Sequence, residues 1–160
     1  AKIRAETGIK PEIQTKRLHK PSLHKELSGN AVVDCGGRDS DVLRSALLAA
    51  DLVLIPARPS QFDLWSLENM DQLIADAKEF NQKIRAVVVW NQAAAMPQVK
   101  DHKKAGAFVK ELDNMTLAKT TLKSRIAYAH AISEGQSVQE FAPNSKAAAE
   151  SLKFFREIMK

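Results

Sequence analysis

The chain has 160 residues, of which 44% are hydrophobic and 27% charged, and its net charge of +5 permits contact with a polyanion without demonstrating it. Its one cysteine excludes an internal disulfide and has no cysteine or histidine at the spacing of a zinc site. No apolar run approaches the about 18 residues that cross a bilayer, so we expect no membrane association. Because a lone cysteine suits a reducing compartment, we also expect a cytoplasmic protein.

The first segment, residues 1–27, is basic, with seven lysines and arginines against three glutamates. We interpret it as a peripheral segment, which is either a solvated surface or a contact for a polyanion. Its first letters, AKIRAETG, are typical of the end of a helix that stops at Gly8. The weak alternation over 11–18, which starts at Pro11, predicts an edge strand.

Apolar runs and helical periodicities alternate along the rest of the chain. The predicted strands are 31–35, 51–57, 84–91 and 115–120, and the predicted helices are 39–50, 63–80, 99–112, 123–133 and 144–159. The run 51–57 is continuously apolar, which indicates a strand covered on both faces. The alternation predicts an α/β fold in a single domain, 1–160, with a mostly parallel sheet and helices on both of its faces.

Polar groups capable of chemistry follow three of these strands, at the edge where parallel sheets bind ligands. They are Asp34 with Gly36 and Gly37, the letters PARPS after Ile55, and Asn91 with Gln92. Two consecutive glycines let backbone N–H groups face an anion, and a carboxylate beside phosphates usually holds magnesium. Asp34 is equally well placed to cap the next helix, so both interpretations stay open.

The spacing of these groups resembles the ParA/MinD family of deviant P-loop ATPases, and its plasmid-partition branch in particular. The matching motifs are VVDCGG at 32–37, AADLVLIP at 49–56, PS at 59–60 with Asp63, and a closing stretch from KSRIAYAH to KFFREI. The resemblance covers residues 28–159. It implies a P-loop NTPase-like fold.

The resemblance implies roles for residues at the strand ends. Asp34 would be the Walker B acid, near the attacking water and near a magnesium ion that it holds through water. Gly36 and Gly37 would form the turn that senses the γ-phosphate, where many relatives have prolines. Asn91 matches the asparagine that reads adenine, although asparagine is also a common turn residue at a strand end.

Two further groups follow from the same resemblance. Phe141, Ala142 and Pro143 would lie against the adenine base, with a plain core position as the alternative for Phe141. Lys119, Lys123 and Arg125 would contact DNA without sequence preference, with a solvated surface as the alternative. We interpret Trp65, Trp90 and Cys35 as packing residues, not as base-stacking platforms or a nucleophile.

The central motif of that family, the P-loop K-G-G-x-G-K-[ST], does not occur in these residues. We therefore expect an incomplete P-loop NTPase-like chain, a C-terminal fragment whose parent binds ATP and magnesium and dimerises on ATP. The parent would be a nucleoid-associated partition ATPase that binds DNA and a centromere-binding partner protein of the ParB type. The chain alone would bind neither cofactor tightly and would not hydrolyse ATP. The alternative is a non-catalytic, degenerate relative that keeps DNA or protein contacts.

Overall fold

A parallel three-stranded sheet forms the centre of the structure, a computed structural model that describes residues 2–17, 29–94 and 101–160. The strands β1 (Leu52–Ala57), β2 (Arg85–Trp90) and β3 (Thr116–Leu117) lie in that order, so β2 is central. Leu52 pairs with Arg85 and Ala57 with Trp90, which aligns the carboxyl ends of β1 and β2.

Helices follow and precede the strands as the alternating pattern predicts. They are α1 (Lys2–Glu6), α2 (Asp41–Ala49), α3 (Gln61–Lys78), α4 (Asp101–Val109), α5 (Ile126–Ser133), α6 (Val138–Phe141) and α7 (Lys146–Ile158). Serine side chains cap four of them, with Ser40, Ser60, Ser137 and Ser145 each accepting a hydrogen bond from a backbone N–H of the first turn. None of the helices in the described part of the chain is both long and apolar enough to cross a membrane.

Both faces of the sheet carry helices, which confirms the predicted α/β fold class. On one face, α2, α3 and α4 bury Leu47, Ile74 and Val109 against sheet residues that include Val88. On the other face, α7 places Phe154 and Ile158 against Val89 and Ala118. The interior positions of β2 are the most deeply buried part of the sheet, which explains its continuous run of apolar residues.

The outer side of β1 departs from the expectation that this strand is covered on both faces. Leu54 is 40% exposed and Pro56 is exposed. The carbonyl groups of Asp51 and Ala57 accept hydrogen bonds on the β2 side, so these residues point their backbone groups toward β2. The alternate residues 52, 54 and 56 point their backbone groups away from β2. Proline has no N–H to donate, and it fits this outer edge, which no described strand pairs.

Two predicted strands are wrong. Residues 31–35 adopt no regular structure, Val32 is fully exposed, and Asp34 is exposed. Residues 11–17 are also irregular and exposed, so no described residue of the expected edge strand 11–18 pairs with the sheet. An apolar or alternating run becomes a strand only where a partner strand accepts its backbone hydrogen bonds, and the described residues provide none for either segment.

The first segment is described only in part. Helix α1 ends as predicted before Gly8, which has φ of +68°. Residues 18–27 of the basic segment and residues 95–100, where the predicted helix 99–112 begins, lie outside the described residues. The short helix α6 interrupts the predicted loop between α5 and α7.

Candidate functional site

The loops that follow β1 and β2 meet at the carboxyl edge of the sheet. The Asn91 backbone N–H donates to the carbonyl of Ala57 at 2.8 Å. The Asn91 side-chain oxygen accepts from the N–H of Gln92 at 2.9 Å, and the Arg58 guanidinium donates to the side-chain oxygen of Gln92. Gln92 has φ of +52°, so the chain turns sharply here and leaves the Asn91 amide nitrogen at the rim of this edge.

The glycine turn lies at the same edge. Gly37 lines a cavity of about 210 Å³ together with the carboxyl-terminal residues of β1, including Ala57, and with Asp63 of α3. A second cavity of about 500 Å³ lies on the other side of the turn, between α2 and α3. The structure therefore brings Gly37 and Asn91 to neighbouring strand ends, as a ligand site at this edge requires.

The glycines themselves face open space. A Cβ built on Gly36 or on Gly37 would meet no atom within 4 Å, and neither glycine has a positive φ. Internal packing and backbone conformation therefore explain neither glycine. An exposed turn of two glycines offers its backbone N–H groups to a group from outside the chain.

An ion-pair network fixes the far side of this turn. The Arg44 guanidinium donates to both oxygens of Asp39, at 2.8 and 2.9 Å, and to Asp76 of α3 at 3.3 Å. The hydrogen bond from Arg44 is the largest of the effects that lower the pKa of Asp39. The turn is thus tied to α2 and α3 while its glycines remain open.

Hydrogen bonds at the start of α3 hold the loop that follows β1. Ser60 accepts from the N–H of Asp63, and the Asp63 carboxylate accepts in turn from the backbone N–H of Arg58. The Pro59-Ser60 and Asp63 motif of the sequence therefore shapes the loop after β1 through hydrogen bonds within that loop.

Asp34 is the carboxylate that the sequence assigns to magnesium. It is exposed, next to the glycine turn, and the described residues contain no cluster of three metal-ligating side chains. Magnesium usually keeps several waters and takes one or two carboxylates together with phosphate oxygens. A lone, accessible carboxylate beside an anion-facing turn fits that donor set only together with a nucleotide.

The segment predicted to lie against adenine lies at the end of α6. Phe141 ends α6, is 37% exposed, and contacts the His130 ring edge to face at 6.3 Å between centroids. Pro143 is exposed and Ala142 is half-buried. In the described residues, no hydrogen bond, ion pair or ring contact joins 141–143 to Asn91, and the adenine site stays a prediction.

The three predicted DNA contacts differ in their surroundings. Arg125 forms an ion pair with Glu150 at 2.5 Å, and this hydrogen bond is the largest effect lowering the pKa of Glu150. Lys123 is half-buried, and its backbone forms an isolated bridge with Ala93. Lys119 is exposed, and its backbone N–H donates to Glu157 at 2.6 Å.

The structure shows which of the predicted packing residues are buried. Trp90 is buried, as expected, whereas Trp65 is 53% exposed and contacts the exposed Phe62 edge to face at 5.6 Å between centroids. The packing interpretation of Trp65 is therefore wrong. Cys35 is half-buried against the core, and burial raises the pKa of its thiol, with the charge of Asp34 as a further cause. A raised thiol pKa disfavours the nucleophilic thiolate.

Sequence reasoning missed the contact between Arg4 and Glu140, which joins distant parts of the chain. Arg58 and Gln92, which belong to the stretches that the sequence singled out, form a hydrogen bond beside Asn91. The letters SVQE at 137–140 are a capping-box signature that predicts α6. No local signal predicts the partner of Arg4.

Comparison with known proteins provides two relatives. The chain is 30% identical over 129 residues to "Protein ParA" of Rhizobium radiobacter, an alignment that covers 78% of this chain and 57% of that protein. It is 29% identical over 122 residues to "Maintenance of carboxysome distribution protein A" of Halothiobacillus neapolitanus, covering 76% of this chain and 55% of that protein. No model of a protein family matches the chain.

The chain thus spans just over half the length of the curated relatives that it matches. Both relatives are ATPases of the ParA/MinD type, and the parallel α/β sheet agrees with a partial P-loop NTPase-like fold. The chain belongs to the ParA/MinD family of ATPases.

Proposed function

We propose that this chain carries the switch turn and the adenine-contacting residues of an ATP-dependent partition ATPase that positions a DNA cargo. The observation that supports this most directly is that Asn91 follows β2 at the carboxyl edge of the sheet, while Gly37 lines a cavity with the last residues of the neighbouring strand β1. Ligands of open α/β sheets bind at this edge. The family membership supplies the reaction class, which is ATP hydrolysis.

In this proposal, the turn and the carboxylate act on the phosphate end of the nucleotide. The open N–H groups of Gly36 and Gly37 would donate to phosphate oxygens, and the Arg44–Asp39 pair would hold the turn in place behind them. Asp34 would accept hydrogen bonds from water bound to magnesium. The ion, when bound, would neutralise charge that develops on the phosphates.

Asn91 would act on the adenine end. Its side-chain oxygen already accepts from the N–H of Gln92, which orients the amide so that its nitrogen is the group left to donate to a base. The segment 141–143 would close over the base. Since that segment does not contact Asn91 in the structure, the proposal requires the nucleotide to bridge the two.

The remaining features of the proposal concern partners. Lys119 and Lys123 would contact DNA phosphates without reading sequence, because phosphate contacts carry no sequence information. ATP would drive dimerisation of the intact protein at its nucleotide edge, and a ParB-type partner protein would stimulate hydrolysis. These expectations rest on the family and, for DNA, on the exposed Lys119 and the half-buried Lys123.

A nucleotide titration followed by backbone NMR tests the proposal on this chain. MgATP is expected to shift the signals of Gly36, Gly37 and Asn91, with a dissociation constant of about 1 mM or weaker because the P-loop donors are absent. Asn91→Ala should abolish the preference for ATP over GTP, whereas Gln82→Ala, an exposed amide at the opposite end of β2, should keep it. Shifts that cluster away from the carboxyl edge would contradict the proposal.

A further inference from the structure

The guanidinium of Arg4 is the most enclosed charge in the described part of the chain. The residue is 5% exposed, although it belongs to the short helix α1 close to the start of the chain. Its Nε donates to the carbonyl of Pro11 at 2.7 Å, and its Nη2 donates to the carbonyl of Lys10 at 2.6 Å. A third carbonyl, that of Gly135, lies 3.4 Å from Nη1.

The same guanidinium forms a two-pronged ion pair with Glu140 in α6. Nη1 donates to Oε2 and Nη2 donates to Oε1, both at 2.8 Å. Buried arginines are typically matched to carboxylates in this geometry, since it satisfies several donors at once. Removing one partner would leave a charge in the interior without compensation.

Glu140 has a second role that depends on where its carboxylate is held. Its Oε2 accepts from the backbone N–H of Ser137 and from the Ser137 hydroxyl, each at 2.8 Å, and Ser137 accepts from the Glu140 N–H. These bonds form the capping box of α6, a helix of four residues. So short a helix gains little from its own backbone hydrogen bonds and depends on its caps and on tertiary contacts.

The helix that Glu140 caps leads directly into the segment 141–143. The N–H of Phe141 donates to the carbonyl of Ser137 at 3.0 Å, and the N–H of Ala142 donates to that of Val138 at 3.0 Å. The backbone of 141–143 is therefore set by α6, α6 is capped by Glu140, and Glu140 is held by Arg4.

We propose that Arg4 is a positioning residue for the segment 141–143, which it holds through Glu140 and the capping box of α6. The proposal rests on the proposed function for the use of that segment in nucleotide binding. Helix α1 thereby controls the conformation of a distant segment, through a contact between two residues 136 positions apart. A nucleotide contact in 141–143 would form only while α1 is docked.

Amide hydrogen exchange in Arg4→Gln and in Glu140→Gln, measured by NMR without nucleotide, tests this. We expect the amides of Phe141 and Ala142 to exchange at least about 10-fold faster than in the wild type, and those of Val88 and Val89 in β2 to be unchanged. Arg44→Gln is the matched control, because it removes another guanidinium that donates to both oxygens of a carboxylate. Arg44 belongs to α2, away from α1 and α6. This variant should leave the amides of 141 and 142 unchanged.

A titration of the Glu140 carboxyl checks that Arg4 and Glu140 are paired in solution. Arg4 is the charged group that contacts Glu140 from another element in the described residues, and the other partner is the uncharged Ser137. The pKa of Glu140, about 2 in the wild type, should rise in Arg4→Gln but stay below 4.5 because the Ser137 bonds remain.

Two results would overturn the proposal. One is exchange at 141 and 142 that does not change in either variant. The other is equal acceleration of the β2 amides, which would make Arg4 a contributor to overall stability only. Since no nucleotide is present, either result would leave the MgATP titration free to test the proposed function separately.

Discussion

A Cβ built on Gly135 would stand 2.7 Å from the backbone nitrogen of Arg4 and 3.0 Å from its Cα. Gly135 also has φ of +69°, so its backbone is in the left-handed region. The turn after α5 therefore needs glycine for two independent reasons, its own conformation and the close approach of α1. No flexible side chain stands in the way, because the opposing atoms are backbone.

The first prediction separates these two reasons. Gly8 has φ of +68° and open space around its Cβ position, so Gly8→Ala should cost only the left-handed conformation, about 1–2 kcal/mol. Gly135→Ala should cost at least about 1 kcal/mol more, since overpacking adds to the strain. Urea unfolding of both variants measures the difference. Equal losses would mean that α1 does not pack on Gly135 in solution.

The second prediction concerns acid stability. The hydrogen bond from Arg4, followed by those from Ser137, lowers the pKa of Glu140 from 4.5 to about 2. A carboxyl with a depressed pKa in the folded state stabilises that state fully above its unfolded pKa, and the contribution is lost as pH falls. The difference in free energy of unfolding between the wild type and Glu140→Gln should thus be constant above pH 5. It should shrink as the pH falls from about 4.5 to about 2.

Thermal denaturation at a series of pH values measures this gap. Asp113→Asn serves as a control, because Asp113 is exposed. A gap that stays constant down to pH 2 would show that Arg4 and Glu140 are not paired in solution.

The third prediction is weak binding of DNA. Arg125 is paired with Glu150, so the test uses Lys119 and Lys123, whose charges help to lower the pKa values of Glu157 and Glu150. Affinity should be about 10⁻⁴ M or weaker at physiological salt, and Lys119→Gln/Lys123→Gln should reduce the log–log salt slope by about 0.9 per lysine. Fluorescence anisotropy with random-sequence duplex DNA provides the measurement.

Lys83→Gln/Lys110→Gln is the charge-matched control for that experiment, because both lysines are exposed and lie outside the predicted cluster. Identical binding by the two double variants at every salt concentration would show that Lys119 and Lys123 belong to a solvated surface.

The fourth prediction is the absence of catalysis by the chain alone. The lysine and backbone donors of a P-loop do not occur in these residues, and loss of even one such donor lowers rates by about 10²–10³. Phosphate release should not depend on magnesium. Turnover that disappears in Asp34→Ala would instead require a complete phosphate site within these residues.

The fifth prediction is association through the outer edge of β1. Leu54 is 40% exposed, and no described strand pairs with this edge, which can therefore accept a strand of a second copy. Leu54→Lys should shift the chain toward monomer in sedimentation velocity runs, since charged side chains block edge pairing. Leu48→Lys, at a similarly exposed position on α2, should not. A wild-type chain that stays monomeric at all concentrations would contradict the prediction.

Much of the fold could be predicted because its signals are local. β2 and the helices on either side of it carry continuous apolar runs or helical spacing. The capping box at 137–140 is as local a signal as these, but turn-forming residues around it favour a loop in the sequence.

The errors have a non-local origin. The segment 31–35 is as apolar as β1, but strand formation depends on a neighbour, and the described residues supply none. The same dependence on distant neighbours explains why only part of the candidate site could be predicted. Asn91 follows β2, so the strand order places it at the carboxyl edge, whereas Arg4 and Glu140 are 136 positions apart and no periodicity connects them.

That separation has a consequence for how the chain is made. Synthesis proceeds from Arg4 toward Glu140 at about 5–20 residues per second, so roughly ten seconds pass between the addition of Arg4 and that of Glu140. During this interval the sheet strands can already pair, because β1 and β2 are both complete by residue 90. The docking of α1 against Glu140 therefore comes after β1 and β2 have been synthesised.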